Sequence, residues 1–200
     1  MFRIQMEIRN VNYDAMLDNF MDQIRQQKQN GMLGSIKIPP MMNMDFLKSM
    51  PQETKDAMVA SAINAEQKRM TDMLEMFAAR SGLEVKVHQL HIVCLKEADC
   101  KIRINLDIAS IDYQAAIDKI ADLLIGEEDL KSVMGECYQE AITVSDAAAY
   151  MKQQVGRNQE FFVLKSMSEK KKVIMERLES MAAGNGMHLE ISNIRFMVQS

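Results

Sequence analysis

The sequence predicts an α+β fold: a tandem duplication of a β-α-α-β unit, forming a four-stranded antiparallel sheet with helices packed on one face. Three observations carry this reading. Residues 2–24, FRIQMEIRNVNYDAMLDNFMDQI, match residues 102–124, IRINLDIASIDYQAAIDKIADLL, without a gap at an offset of 100. The second halves also correspond, LEMFAARSGLEVKVHQLHIV around Gly82 with LESMAAGNGMHLEISNIRFM around Gly186, at an offset of 104. Within each half the apolar period changes from 2 to 3.6 and back to 2.

The elements follow in order. Phe2, Ile4, Met6 and Ile8 alternate with Arg3, Gln5, Glu7 and Arg9, which is a strand with one buried and one wet face. This pattern reads as a strand and not as a signal peptide. Asn12 and Asp112 stand where a helix N-cap belongs. Tyr13, Met16, Leu17, Phe20, Met21 and Ile24 then recur at helical spacing. A long helix is expected from about residue 52 to 81, opened by Pro51 and closed by Gly82. Its second-half counterpart is expected over about 169–183, closed around Gly184-Asn185-Gly186. Leu83, Val85 and Val87 keep one phase and Leu90, Ile92 and Cys94 take the other. Met187, Leu189 and Ile191 followed by Ile194, Phe196 and Val198 repeat the slip, so a β-bulge is predicted at His88-Gln89 and at Ser192-Asn193.

Leu95 to Asp99 is short enough for a hairpin joining the halves. The expected product is a single duplicated domain over residues 1–200, with repeats at 1–95 and 100–200 and strands in the order 1-2-3-4. Counting one reversal per helix makes the two strands of a unit antiparallel. Variable insertions fall at 31–50, apolar and Pro-punctuated, and at 127–164, with helices expected over 127–142 and 145–155 followed by Phe161-Phe162-Val163-Leu164. Leu47-Lys48-Ser49-Met50 and Leu164-Lys165-Ser166-Met167 sit at comparable points before the second helix.

Composition bounds the function. Of 200 residues 48% are hydrophobic and 26% charged, with a formal net charge of −4. That balance offers nucleic-acid phosphates no general attraction. The wet strand face carries Arg3, Glu7, Arg9, Glu84, Lys86, Lys101, Arg103, Asp107, Glu190 and Arg195, mixed in sign and without aromatics, which reads as cross-strand ion pairing. No membrane span is expected, and a cytoplasmic location is expected from the strand-like start, with which three cysteines, fitting a reducing compartment, agree.

Chemistry-bearing motifs are sparse. His88-x-x-His91-x-x-Cys94 with Cys100 has zinc-type ligands but no common zinc spacing, and alternation sends Cys94 inward while both His point outward. No metal or cofactor is assigned. Cys137, on an expected helix, reads as core. No Walker loop, GxGxxG, GxSxG or HExxH occurs, so no catalytic residue is assigned and an enzyme is not expected. The 20 methionines, including Met70, Met73 and Met76, read mainly as pliable core filling.

The expected role is a protein-interaction or self-association domain, with a protein partner or a second copy, as in a homodimer, docking on Met32, Leu33, Ile36, Ile38, Met41, Met42, Met44, Phe46, Phe161 and Phe162. Exposed strand edges add a route to dimers. The alternative is a carrier that holds an apolar ligand between helices and sheet.

Overall fold

Two strands that alternate apolar and polar residues pair with each other at the centre of the molecule. In the computed structural model, which describes residues 1–13, 18, 44–124, 126–138, 142–184 and 186–199, β1 (Phe2–Asn12) lies antiparallel to β3 (Ile102–Ile111). Gln5 faces Asn105 at the middle of the register, and Phe2↔Ile108 is balanced by Ile8↔Ile102. Exchanging the two strands at the offset of 100 therefore maps their register onto itself. The Gln5 side-chain amide donates to Asn105 Oδ1 at 2.9 Å across this midpoint.

The edge strands are β2 (Val85–Cys94) beside β3 and β4 (His188–Val198) beside β1, giving a four-stranded antiparallel sheet in the order β2-β3-β1-β4. This corrects the expected order 1-2-3-4. It also corrects the direction count: β1 and β2 are both antiparallel to β3, so they run parallel to each other, as do β3 and β4. Parallel strands need a crossover that returns the chain to its starting end. The helices therefore make a net single pass, and each half becomes a split β-α-β unit with the other half's first strand inserted. The hairpin between β2 and β3 forms where expected, with the Leu95 N–H donating to the Lys101 carbonyl at 2.7 Å.

Among the described residues there are eight α-helices. After the short α1 (Met44–Ser49), α2 (Gln52–Ala65) begins at Pro51, whose carbonyl accepts from the N–H groups of Thr54 and Lys55. One residue, Glu66, separates α2 from α3 (Gln67–Arg80). In the second half α4 (Tyr113–Ala121) and α5 (Glu127–Met134) are followed by a 3-10 turn at Gly135–Cys137, and then by α6 (Val144–Gln153), α7 (Gly156–Glu169) and α8 (Lys171–Gly184). The bounds of α2 and α3 fall on those of α7 and α8 at the offset of 104. The breaks correspond as well, since Glu66 (φ −101°, ψ 27°) and Lys170 (φ −96°, ψ 14°) share one backbone conformation.

Several expectations change here. The helix expected over 52–81 is broken at Glu66; the one expected over about 169–183 forms as α8, Lys171–Gly184, and is preceded by α7, so the pair that corresponds to α2 and α3 starts at Gly156. Neither break holds Pro or Gly, so periodicity reads straight through both. Phe161 to Leu164 belong inside α7, where Leu164 corresponds to Ala60 and not to Leu47. The helix expected to run to Ile142 stops at Gly135, whose φ of +56° ends it. Gly82 and Gly186, at φ +75° and +76°, close α3 and α8 as expected, with matching bonds from Leu83 N–H to Ala78 and from Met187 N–H to Ala182, both 2.9 Å.

Helices cover the sheet's apolar face from both ends. Under α2, Ala60 packs with Ile8, Val11, Tyr13, Ile92 and Ile102. Under α7, Leu164 packs with Phe2 and Ile108, against the half-buried Ile4, Leu106 and Phe196. A larger core forms between helices alone, joining Ile117 and Ile120 of α4, Val133 of α5, Ala147 and Met151 of α6 and Val163 of α7. Two caps hold its helices: Asp112 accepts from the N–H groups of Gln114 and Ala115, and Thr143 and Asp146 form a capping box. The opposite sheet face carries ion pairs. Arg3 Nε and Nη2 donate to Asp107 at 2.6 and 2.9 Å, and Arg103 reaches Glu7 at 3.2 Å. These two pairs exchange with each other at the offset of 100.

The slip in β2 and β4 is present. Register shifts flank Val87↔Ile108 and Ile8↔Ile191, two pairs that also exchange under the two offsets. The methionine expectation fails in part: Met73 and Met76 of α3 are exposed, because α3 packs chiefly along the outermost strand, β2.

Candidate functional site

Beneath α7 the described residues do not fill the apolar face of the sheet. A cavity of about 360 Å³ lies there, walled by strand residues below and helix residues above. Its floor is Phe2 and Ile4 of β1, Leu106 and Ile108 of β3, and Val85 and Val87 of β2. Period-2 alternation aims all six to one face. Ile4 and Leu106 sit on the two central strands yet stay only partly buried, although native cores leave few voids larger than a water molecule.

The walls come from four helices. α4 contributes Ala116, Lys119, Ile120 and Leu123 just past its end, spaced so that they share one helical face. Val163 and Met167 come from α7, Ile174 from α8, and Leu74 from α3. Leu83 and Ile111 close the end where β2 and β3 meet the helices. The site thus takes walls from both halves of the chain. Fifteen of its sixteen described lining residues are apolar; the exception among them is Lys119. Lys119 is itself exposed and so belongs to the rim of the cavity; a lysine there can lay its apolar stem on the wall and keep its ammonium in water. Its neighbour Asp118 is held in an ion pair by Lys152.

Two tyrosines stand in corresponding places, Tyr13 buried under α2 and Tyr113 half-buried at the start of α4. The Tyr13 hydroxyl donates to Asp56 Oδ1 at 2.8 Å, and Gln52 Nε2 donates to the same oxygen at 3.2 Å. Tyr113 pairs with Glu160, the counterpart of Asp56 at the offset of 104. Burial, then the hydrogen bond to Asp56, raises Tyr13 well above the usual phenol range. Burial together with the charge of Glu160 pushes Tyr113 up to about 12. These neutral phenols hold α2 and α7 against the strand ends.

Of the sequence-predicted contact residues, Met32, Leu33, Ile36, Ile38, Met41 and Met42 lie outside the described residues. Met44 begins α1, and Phe46 on the same helix is 57% exposed. Phe161 is exposed under the Lys165 ammonium, whereas Phe162 is buried in the helical core, edge-on to Tyr150. Only Phe161 of that pair faces outward, because adjacent helix positions point about 100° apart.

The cysteine expectations need correction. Cys94, expected inward, keeps the phase of the buried Leu90 and Ile92 opposite Ile102, yet is exposed, because it is the last residue of the outermost strand. Cys137, expected in the core, is exposed on the 3-10 turn and accepts from the Tyr150 hydroxyl at 3.2 Å. Cys100 is buried, and burial pushes its thiol up. Among the described residues no three His, Cys, Asp or Glu side chains come together to hold a metal ion.

The cavity residues were missed by sequence reading. Ala116, Lys119, Ile120 and Leu123 carry a recognisable i, i+3, i+4, i+7 spacing, but such a stripe reads as ordinary core until the sheet below is seen to leave space. Comparison with protein-family models, with curated proteins and with solved structures finds no match. The fold and the site therefore define the class on their own: an α+β protein with an apolar pocket between helices and sheet. No described helix is long and apolar enough to cross a membrane.

Proposed function

We propose that the protein is a carrier for an apolar small molecule, held between the sheet and the helices α3, α4, α7 and α8. The single observation that carries this is the 360 Å³ cavity with fifteen apolar residues among its sixteen described ones. Ligand pockets run from about 300 to 1,000 Å³ and are mostly apolar with few polar groups. Partial burial of Ile4 and Leu106 supports the same reading, because a ligand would complete their desolvation, worth roughly 25 cal/mol per Å² of apolar surface removed from water.

The chain is, on this proposal, a tandem duplication whose halves embrace each other. Support comes from the matching bounds of α2 with α7 and of α3 with α8, and from the exchange of Arg3–Asp107 with Arg103–Glu7. The arginines of the wet face are engaged by carboxylates, Arg9 also by Glu190 and Asp99. That supports a reading in which nucleic acid is not the partner. Three free cysteines support a reducing, cytoplasmic setting.

Native mass spectrometry of the freshly purified chain tests the carrier reading. Folded ions that carry extra mass, either as purified or after incubation with dodecanol, are the expected result. Folded ions that stay bare under both conditions overturn it.

Exposed Phe46 and Phe161 favour a second reading, self-association through the segment 32–50 and α7. Dimer ions that disappear in a Phe46→Ser variant would favour it.

A further inference from the structure

We propose that the ligand is a single-chain alkyl carboxylate, its hydrocarbon tail in the cavity and its carboxylate paired with the Lys119 ammonium at the rim. The inference rests on the carrier reading and names its ligand class.

The wall chemistry restricts the part of the ligand that is enclosed. Fifteen apolar side chains offer no side-chain hydrogen bond to a buried polar atom, and burying an unpaired hydroxyl or amide costs about 1–3 kcal/mol. A nucleotide, sugar or peptide would bury several such groups. A hydrocarbon buries none. At 360 Å³ the cavity lies near the lower end of the range for ligand pockets, about 300 Å³, which suits one alkyl chain better than the paired chains of a membrane phospholipid.

The rim fixes the head group. Lys119 is the single charged residue among the described lining residues and stands on the same α4 face as Ala116 and Leu123. Its neighbour on the helix, Asp118, is engaged by Lys152, and Lys119 forms no ion pair with a described residue. A lysine is a point charge with three rotatable donors, suited to one compact anion, in contrast to the planar fork of arginine. A carboxylate at the end of a tail lying along Ile120 and Leu123 meets that ammonium without leaving water entirely, so neither ion is fully desolvated.

The test compares dodecanoate, dodecanol and dodecyltrimethylammonium for binding to the intact chain at pH 8 by calorimetry. The proposal expects dodecanoate to bind about fivefold more tightly than dodecanol, the cation to bind weakest, and added salt to narrow the gap, as for a solvent-exposed ion pair. Lys119→Gln should erase the preference by weakening dodecanoate far more than dodecanol, and Lys119→Arg should keep it. Lys119 is exposed, so both variants should fold, which circular dichroism checks. Equal affinity for carboxylate and alcohol, or a preference that survives Lys119→Gln, overturns the head-group assignment and leaves the carrier reading standing. Failure of all three to bind overturns both.

Discussion

The carboxylate of Glu179, on α8, accepts a hydrogen bond from the backbone N–H of Ile191, on β4, at 2.6 Å. Its counterpart Glu75, on α3, accepts from the N–H of Val87 on β2 at 2.8 Å. Both amides belong to the register shifts of edge strands, where a bulge leaves a donor without a ladder partner. A helix glutamate thus satisfies the amide released by each bulge and locks helix to strand.

Replacing Glu179 by Ala should destabilise the protein by about 1–2 kcal/mol, the cost of a lost hydrogen bond and a donor left to water. Glu179→Gln, which keeps an acceptor oxygen, should cost less. Urea unfolding followed by circular dichroism measures both. The first-half bond carries a pH signature, because hydrogen bonds from the Val87 N–H and then from Lys86 hold the Glu75 carboxyl below its usual value. A depressed carboxyl contributes stability that is present above the unfolded-state value and fades as pH falls through the folded-state value. Glu75→Gln should therefore lose less stability than the parent chain below about pH 4.5.

The paired tyrosines predict behaviour at the other end of the pH scale. Tyr13 and Tyr113 are raised, chiefly by burial, Tyr113 to about 12. Their neutral forms are favoured in the fold, so the stability they contribute is complete below the ordinary phenol value of about 10 and falls as pH rises above it. An absorbance titration of phenolate should show ionisation of these two only together with loss of structure. Tyr13→Phe and Tyr113→Phe should each remove that coupling for one ring. A smooth ionisation of all four tyrosines near pH 10 in the folded protein would contradict the buried hydrogen-bonded arrangement.

The edge of β2 predicts an effect on association. The Asn64 side chain of α2 donates to the Ile92 carbonyl at 2.7 Å and accepts from the Ile92 N–H at 2.9 Å. It stands in for one residue of a neighbouring strand, and Glu75 covers Val87 a few positions away. Covered edges resist pairing with another chain. Asn64→Leu should cost about 1–3 kcal/mol by leaving two backbone groups unpaired, and should raise the concentration-dependent dimer fraction measured by analytical ultracentrifugation. Unchanged association would show that the clamp serves packing alone.

How much of this was legible follows from what each feature needs. Strand phases, the cap at Asp112, the closing glycines and the paired slips are local, so periodicity and residue type disclose them. The ion pairs Arg3–Asp107 and Arg103–Glu7 were foreseen as a mixed-sign wet face, though not as partners. Strand order was not legible: the central β1–β3 pairing joins residues about 100 apart, and no local pattern distinguishes it from pairing within a half. The breaks at Glu66 and Lys170 carry no Pro or Gly and so left no mark. The cavity is the least legible feature, because it arises where side chains from β1, β2, β3 and four helices fail to meet, and a void has no residues of its own. Lys119 reads as an ordinary solvated lysine until its neighbours Ala116, Ile120 and Leu123 are placed around that void.

The most direct test of the carrier account is a fluorescence titration with N-phenyl-1-naphthylamine, a neutral apolar probe, on the parent chain and on Leu106→Phe. Leu106 is on the cavity floor and only partly buried, so a larger ring there fills space the probe would occupy. The account predicts one saturable site in the parent chain, a rise in melting temperature of roughly 5–10 °C at a hundredfold excess over the dissociation constant, and at least tenfold weaker binding to the folded Leu106→Phe variant. Binding that is absent from the parent chain, or unchanged by Leu106→Phe, would contradict it.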